Sequence, residues 1–306
     1  MPNALNYATQ YQSALAQAFP YVLNFGDLYS TPNNGRYRWV NSKTIEIPSI
    51  STTGRVNSNR DTIATATRNY ENAWEQKTLT NQRKWSTLVH PKDIDQTNAV
   101  ASITNITRVY NEEQKFPEMD AYTVSKLYSL WTQQSKTADT TVLTAANVLN
   151  VFDAMMQKMT EARVPGNGRI LYVTPAVNTL IKNAQQIQRN FSVQGGSSAL
   201  KMAITSIDNV KIVEVPAELM KTAYNFTIGW APATTADSIN MFLVHPLAVI
   251  TPISYQFSQL DPPSAGSEGK YVYFEESYED VFILNKRKEA LQFNITPYVA
   301  PTNGES

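Results

Sequence analysis

The side chains with the clearest capacity for chemistry are two histidines, His90 and His245, and an acidic run, Glu275, Glu276, Glu279 and Asp280. Each histidine precedes a proline at a place where a strand ends or bends, which reads as a structural imidazole rather than a catalytic base. Clustered carboxylates could hold a hard divalent cation or work as an acid–base pair, because such cations want several oxygens. Along a strand, however, successive side chains point to opposite faces, so the cluster divides. A solvated or partner-facing acidic strand is the reading this favours. The basic turn Lys286, Arg287 and Lys288 lies close by in sequence. One copy's turn could therefore meet another copy's carboxylates, a pairing that sets orientation and register more than affinity; an ordinary polar hairpin tip accounts for the same residues.

Other chemistries lack their parts. There is no cysteine, so disulfides, thiolates and Cys-based metal sites are excluded, and two histidines are too few for a His-based zinc site. No glycine-rich string precedes a Lys and a Ser or Thr, as a phosphate-cradling loop requires. A nucleophile elbow is missing too. Gly166 and Gly168 mimic half of a dinucleotide fingerprint but precede a strand instead of following one. The expectation is a protein with no catalytic residue, cofactor or metal. Three sequons, at Asn105, Asn225 and Asn294, carry no information without secretion.

Charge and composition narrow the partners. Lys plus Arg equals Asp plus Glu at 26 each, so no broad positive footprint grips a phosphate backbone. Charged residues are 17% of the chain, against roughly 25% in ordinary soluble domains. A surface so poor in charge suits extensive protein contact. The most apolar run, residues 241–250, holds His245 and Pro246 and is about half the ~20 residues that cross a bilayer. The first basic residue is Arg36, so a secretory signal is not expected; the chain reads as made and used in cytoplasm.

The elements that must carry these residues follow from periodicity. Tyr7, Tyr11, Ala14, Leu15, Ala18 and Phe19 share one helical face in a nearly uncharged arm. That helix either folds back on its own core or docks on a neighbouring subunit. Residues 37–48 and 74–85 are strand-like, and the polar stretch between them has too little apolar material for a core of its own, so 37–85 reads as a projecting hairpin. Asp93 and Gln96 have capping-pair spacing ahead of a helix carrying Val100, Ile103, Ile106, Thr107 and Tyr110, which runs to about Lys115. Pro117 restarts the pattern through Trp131. A second helix (Val148, Phe152, Met155, Met156, Met159, with Thr144 as cap), the strand 170–173, a helix opened by Thr174 and Pro175, and the strand 210–215 predict an α/β lobe. Residues 195–198 read as a mobile surface loop. Strands then follow at 239–244, 248–255, 270–274, 278–284 and 291–295, with 285–288 turning the last pair.

This succession, over nearly the full chain, resembles the Hong Kong 97-type major capsid proteins of tailed phages. Local wording is also similar, chiefly VHPKDIDQT (89–97), PEMDAYTVSKLY (117–128), RILYVTPAVNTLI (169–181) and YEDVFILNKRKEALQF (278–293). The resemblance implies an α+β fold: an N-terminal arm (1–36), an extended β-hairpin loop (37–88), a peripheral domain with a long spine helix (89–130), an α/β axial domain (131–243), and late strands completing the peripheral domain (244–306). It implies a shell subunit that builds hexamers and pentamers around double-stranded DNA without recognising it, with a portal and a separate scaffolding or decoration protein as further partners, if any. Contacts between subunits are then expected at Tyr7 and Tyr11 of the arm, at Arg55, Arg60 and Arg68 of the loop, and at Glu275, Glu276, Lys286, Arg287 and Lys288. Some relatives crosslink through a loop lysine. Here the loop tip carries arginines, and Lys43 and Lys77 lie on its flanks, so no crosslink is expected. An encapsulin-type nanocompartment shares the fold; a hydrolase and a carbohydrate- or host-binding virion protein are the alternatives from other classes.

Overall fold

The computed structural model describes residues 22–57, 68–96, 102–184 and 206–300. Tyr7, Tyr11, Arg60 and the stretch 195–198 lie outside them. The chain enters through a short helix, α1 (Gly26–Tyr29), and the two residues ahead of it are held by a buried carboxylate: Asn24 N–H and Phe25 N–H donate to Asp120 at 2.9 and 3.2 Å. Phe25 and Leu28 are fully buried. This end of the arm is thus folded on its own chain.

The hairpin is present and longer than its core. β1 (Arg38–Asn41), β2 (Thr44–Thr52) and β3 (Tyr70–Thr78) form an antiparallel sheet, with β2 and β3 in register from Thr44 opposite Thr78 to Thr52 opposite Tyr70. Only its root is buried: Ile45 and Ile47 pack with Leu79, Ile250, Tyr278 and Phe282. Beyond Ile50 the ribbon leaves the body. The expected strand 74–85 is two strands, because β4 (Gln82–Val89) turns away into a different sheet. The cause is the joint between them. Leu79 is drawn into the small core, its carbonyl accepts the Tyr278 hydroxyl at 2.9 Å, and Thr80 N–H donates to Asp280 at 2.8 Å.

The spine also begins elsewhere. Asp93 and Gln96 belong to a short helix, α2 (Pro91–Gln96), and the rod is capped by Ser102, whose hydroxyl accepts Asn105 N–H at 3.4 Å. From there α3 (Ile103–Tyr110), a π-type turn (Asn111–Lys115) and α4 (Phe116–Gln133) run on as one helix, about 45 Å at 1.5 Å per residue. Pro117 does not restart the pattern. It sits in the first turn after the widened π segment, where a residue without an N–H does least harm.

The α/β lobe follows: α5 (Val148–Glu161), β5 (Ile170–Val173), α6 (Pro175–Lys182), β6 (Ser206–Ile207), β7 (Val210–Glu214), the small β8 (Tyr224–Asn225) and β9 (Ala231–Pro232) ribbon, and β10 (Ser238–Val244). The last pieces are β11 (Val249–Ile250), β12 (Ile253–Asp261), β13 (Tyr271–Glu279), β14 (Phe282–Ile283) and β15 (Leu291–Thr296). The central sheet has the order β15-β10-β5-β7-β6, with only β5 and β7 parallel. Register builds its core: Phe242 stands opposite Tyr172 on one side and Phe293 on the other, with ring centroids 4.8 and 5.1 Å apart. Phe25 and Trp131 extend the ladder at 4.8 Å from Tyr172 and 5.0 Å from Phe293, so the arm and the spine are pinned to the same sheet. Each such pair is worth roughly 0.5–1.5 kcal/mol beyond area burial.

Two expectations about the late strands are corrected. Residues 285–288 do not turn a hairpin: β14 pairs with β11, while the irregular 3-10 run Asn285–Ala290 carries the chain across to place β15 beside β10 in the central sheet. Segment 248–255 breaks at Thr251 and Pro252, whereas the acidic run does not end a strand, since β13 continues through Glu279 between β12 and β4.

Candidate assembly surfaces

The spine covers one face of the β12-β13-β4 sheet, and the acidic run is mostly spent there. Trp85 stacks on Tyr110 with centroids 3.9 Å apart; Arg83 grips Glu118 through two nitrogens, at 2.5 and 3.1 Å; Lys115 pairs with Glu275 at 3.0 Å. Tyr273 also donates to Glu275, at 2.9 Å. Glu275 is therefore buried and turned inward against its own helix, which corrects its place among the partner-facing residues. Asp280 receives Thr80 N–H, the Tyr122 hydroxyl and Val281 N–H, each at 2.8 Å, with Lys126 at 3.6 Å. Burial pushes the Glu279 carboxyl up, with Glu118 and Asp280 adding to the effect and Lys115 opposing it. Glu276 points to the other face and accepts from Gln82 at 2.5 Å. Among the described residues no group of three or more acidic, His or Cys side chains is placed to hold a metal.

Much of the basic turn is also used inside the chain. Arg287 donates to the Leu247 carbonyl, and Lys286 to that of Ile50 at 2.6 Å. Beside it, Lys77 donates to Asn285 at 2.9 Å. The turn clamps the root of the hairpin. Arg287 thus serves as an anchor within its own chain; it and Lys288 are half-buried, and Lys286, though exposed, has a donor committed to the hairpin.

Both histidines play one part. The N–H two residues on donates to Nδ1, Lys92 to His90 at 3.1 Å and Leu247 to His245 at 3.2 Å, which satisfies an amide at the start of a helical turn opened by proline. His245 is buried, and its Nε2 lies 3.1 Å from the Asn167 carbonyl. Burial holds its pKa below the usual value, so the neutral ring donates from Nε2. Arg169, which sequence reasoning missed, is buried and donates to the carbonyls of Pro165, Met156 and Val164, at 2.9, 3.2 and 2.7 Å, about the end of α5. It satisfies carbonyls of the turn that follows α5 and ties that turn back to Met156 of the helix.

Among the described residues, two surfaces group exposed aromatic side chains. On one face of the hairpin, Arg38 lies 3.9 Å over the ring of Trp74 and Arg68 lies 4.8 Å over that of Tyr70, with Ile50 exposed nearby. Arg55 is exposed beyond them. The spacing of Tyr70, Asn72, Trp74 and Gln76 on one strand face was the signal for this strip. The second surface is the sheet face opposite the spine, where Tyr255, Phe257 and Leu88 are exposed and Phe257 meets Phe274 with centroids 6.2 Å apart.

A root anchored in the body, a coreless ribbon, a long spine and a mixed α/β lobe define the class: this is the Hong Kong 97-type capsid fold. Solved structures with this fold include a chain of Mycobacterium phage Che8, with a TM-score of 0.66 at 14% identity over 92% of this chain and 93% of that one. A chain of the bacteriophage PhiM1 mature capsid matches with a TM-score of 0.65 at 12% identity, over 84% and 83% of the two chains. One from the capsid of cyanophage P-SCSP1u matches at 0.63 and 11% identity, over 93% and 91%. No protein-family model matches the chain, and no curated protein sequence does.

Proposed function

We propose that the chain is the major capsid protein of a tailed bacteriophage, assembling into hexamers and pentamers of an icosahedral shell around double-stranded DNA. The observation that carries this is the hairpin. From Pro48 outward both faces are largely open, with Trp74, Tyr70 and Ile50 exposed, and such apolar surface marks a protein contact. A ribbon without a core gains its shape from an adjacent molecule.

Two structural neighbours come from a mature capsid and a capsid, which supports this reading. The balanced charge fits a wall that encloses DNA without gripping it. A portal, and a scaffolding or decoration protein, are the further partners it implies, with assembly in the host cytoplasm and residence in the virion. Among the described residues no helix is long and apolar enough to cross a membrane. The candidate catalytic groups are held in structural bonds, which supports a building role over a hydrolytic one.

Electron microscopy of the purified recombinant protein, alone and with its genomic neighbours co-expressed, tests the proposal. Closed shells or capsomers are expected. Small soluble species under every salt and scaffold condition would remove it.

A further inference from the structure

Among the described residues, β12 is an outer strand of its sheet and pairs with β13 alone. Among the described residues, no backbone hydrogen bond from another element reaches the outer edge of 255–261. An open edge is a template for another strand, and folded chains ordinarily cover it or guard it with charge or proline. The other long edges here are managed in those ways. β15 is covered by the segment around Asp139, which exchanges backbone bonds of 2.9 and 2.8 Å with Phe293 and Ile295. β3 carries Glu71, Glu75 and Lys77, and β4 carries Arg83 and Lys84. β12 has neither device: its sequence, ISYQFSQLD, is free of charge and proline up to Asp261.

We propose that β12 pairs antiparallel with β12 of a second copy about a twofold axis at Phe257, joining the two three-stranded sheets edge to edge. Self-pairing is favoured because the strand's own pattern is complementary to itself. Centred on Phe257, the register sets Phe257 against Phe257 of the second copy, Gln256 against Ser258 and Tyr255 against Gln259, the bulge between Ile253 and Tyr255 lying at its end. Like charges never meet, and the aromatic row that includes Phe274 becomes continuous across the seam. The guarded edges of β3 and β4 would instead bring hydrated charges to the junction. A contact between identical patches closes at two copies, which also limits runaway edge-to-edge growth.

The chain has no cysteine, so a single introduced thiol reports one contact. Full-length Phe257→Cys, Gln256→Cys and Ser258→Cys are oxidised mildly under assembly conditions and run on a non-reducing gel, with exposed Val142→Cys as control. Phe257→Cys is expected to give a strong dimer band; Gln256→Cys and Ser258→Cys give one only when mixed, since each stands opposite the other. Opposed strand residues fall within disulfide reach. No dimer from any of these, or none above the Val142→Cys level, overturns the pairing. A crosslink in a different combination overturns the stated register. As a second arm, Gln256→Lys with Ser258→Lys in the Phe257→Cys background should abolish the dimer band while circular dichroism stays unchanged; a band that persists counts against the edge. Shells that form without a crosslink sink this inference and leave the shell reading standing, whereas crosslinked dimers that never form shells do the reverse.

Discussion

His245 shows how one buried side chain can set a pH limit. Its Nδ1 accepts an amide and its Nε2 faces a carbonyl, an arrangement that needs the neutral ring. Because burial holds its folded pKa below the ordinary 6.5, the unfolded chain takes up the proton first as pH falls. Its contribution is therefore present above that value and is lost as pH drops through the folded pKa. His245→Asn, with a side-chain carbonyl to accept Leu247 N–H, should remove this part of the decline; chemical denaturation at pH 7 and pH 5 checks it, and an equal decline in both proteins would count against it. Glu279 has the opposite sign. Its raised folded pKa makes the folded state the better proton binder, so stability falls as pH rises past the ordinary carboxylate value. Glu279→Gln should raise the thermal midpoint at pH 7, with the gain shrinking as pH falls toward 4.5 and absent below it; calorimetry at pH 7 and pH 4 checks this.

At the scale of elements, the hairpin, the spine and the sheet under it meet at Asp280. That carboxylate ties Thr80, at the joint between β3 and β4, to Tyr122 and Lys126 on the spine. The root is thus tied to the body where the exposed part of the ribbon is not, and the two can be separated by experiment. Deleting residues 52–69 removes none of the buried residues at the root. The expected product keeps its circular dichroism and unfolding midpoint but assembles poorly, as followed by sedimentation; undiminished shells would show the ribbon to be dispensable. Existence and type of these elements were legible from periodicity, since Ile45 and Ile47 alternate and Tyr122, Leu127 and Trp131 recur at helical spacing. Their ends were not. Ser102 rather than Asp93 caps the spine, and a hydroxyl cap looks the same at many positions in a Thr- and Ser-rich sequence.

For the whole molecule, the basic turn separates fold from assembly. Arg287 serves the fold through Leu247, so replacing it would disturb the monomer before any contact between copies. Lys286→Glu with Lys288→Glu spares that anchor. Under the shell reading it should weaken contacts between capsomers while shifting monomer stability by only a few tenths of a kcal/mol to about 1 kcal/mol, measured by shell disassembly in rising denaturant beside monomer unfolding. Unaltered shells would withdraw these two lysines from the interface.

The order of arm, ribbon, spine, lobe and late strands was written in the sequence, because apolar period and the placing of proline, serine and threonine are local properties that each segment carries by itself. Absence of a P-loop, a cysteine or a nucleophile elbow was equally local. What only the tertiary structure decided was partnership. Glu275 was set against Lys115, Arg287 against Leu247, and β15 beside β10 instead of β14, each joining positions far apart in the chain. A carboxylate or an edge strand reads the same whether it faces a helix, water or another copy. Which one it meets depends on how the long-range strand pairings close, and no window of neighbouring residues contains that information.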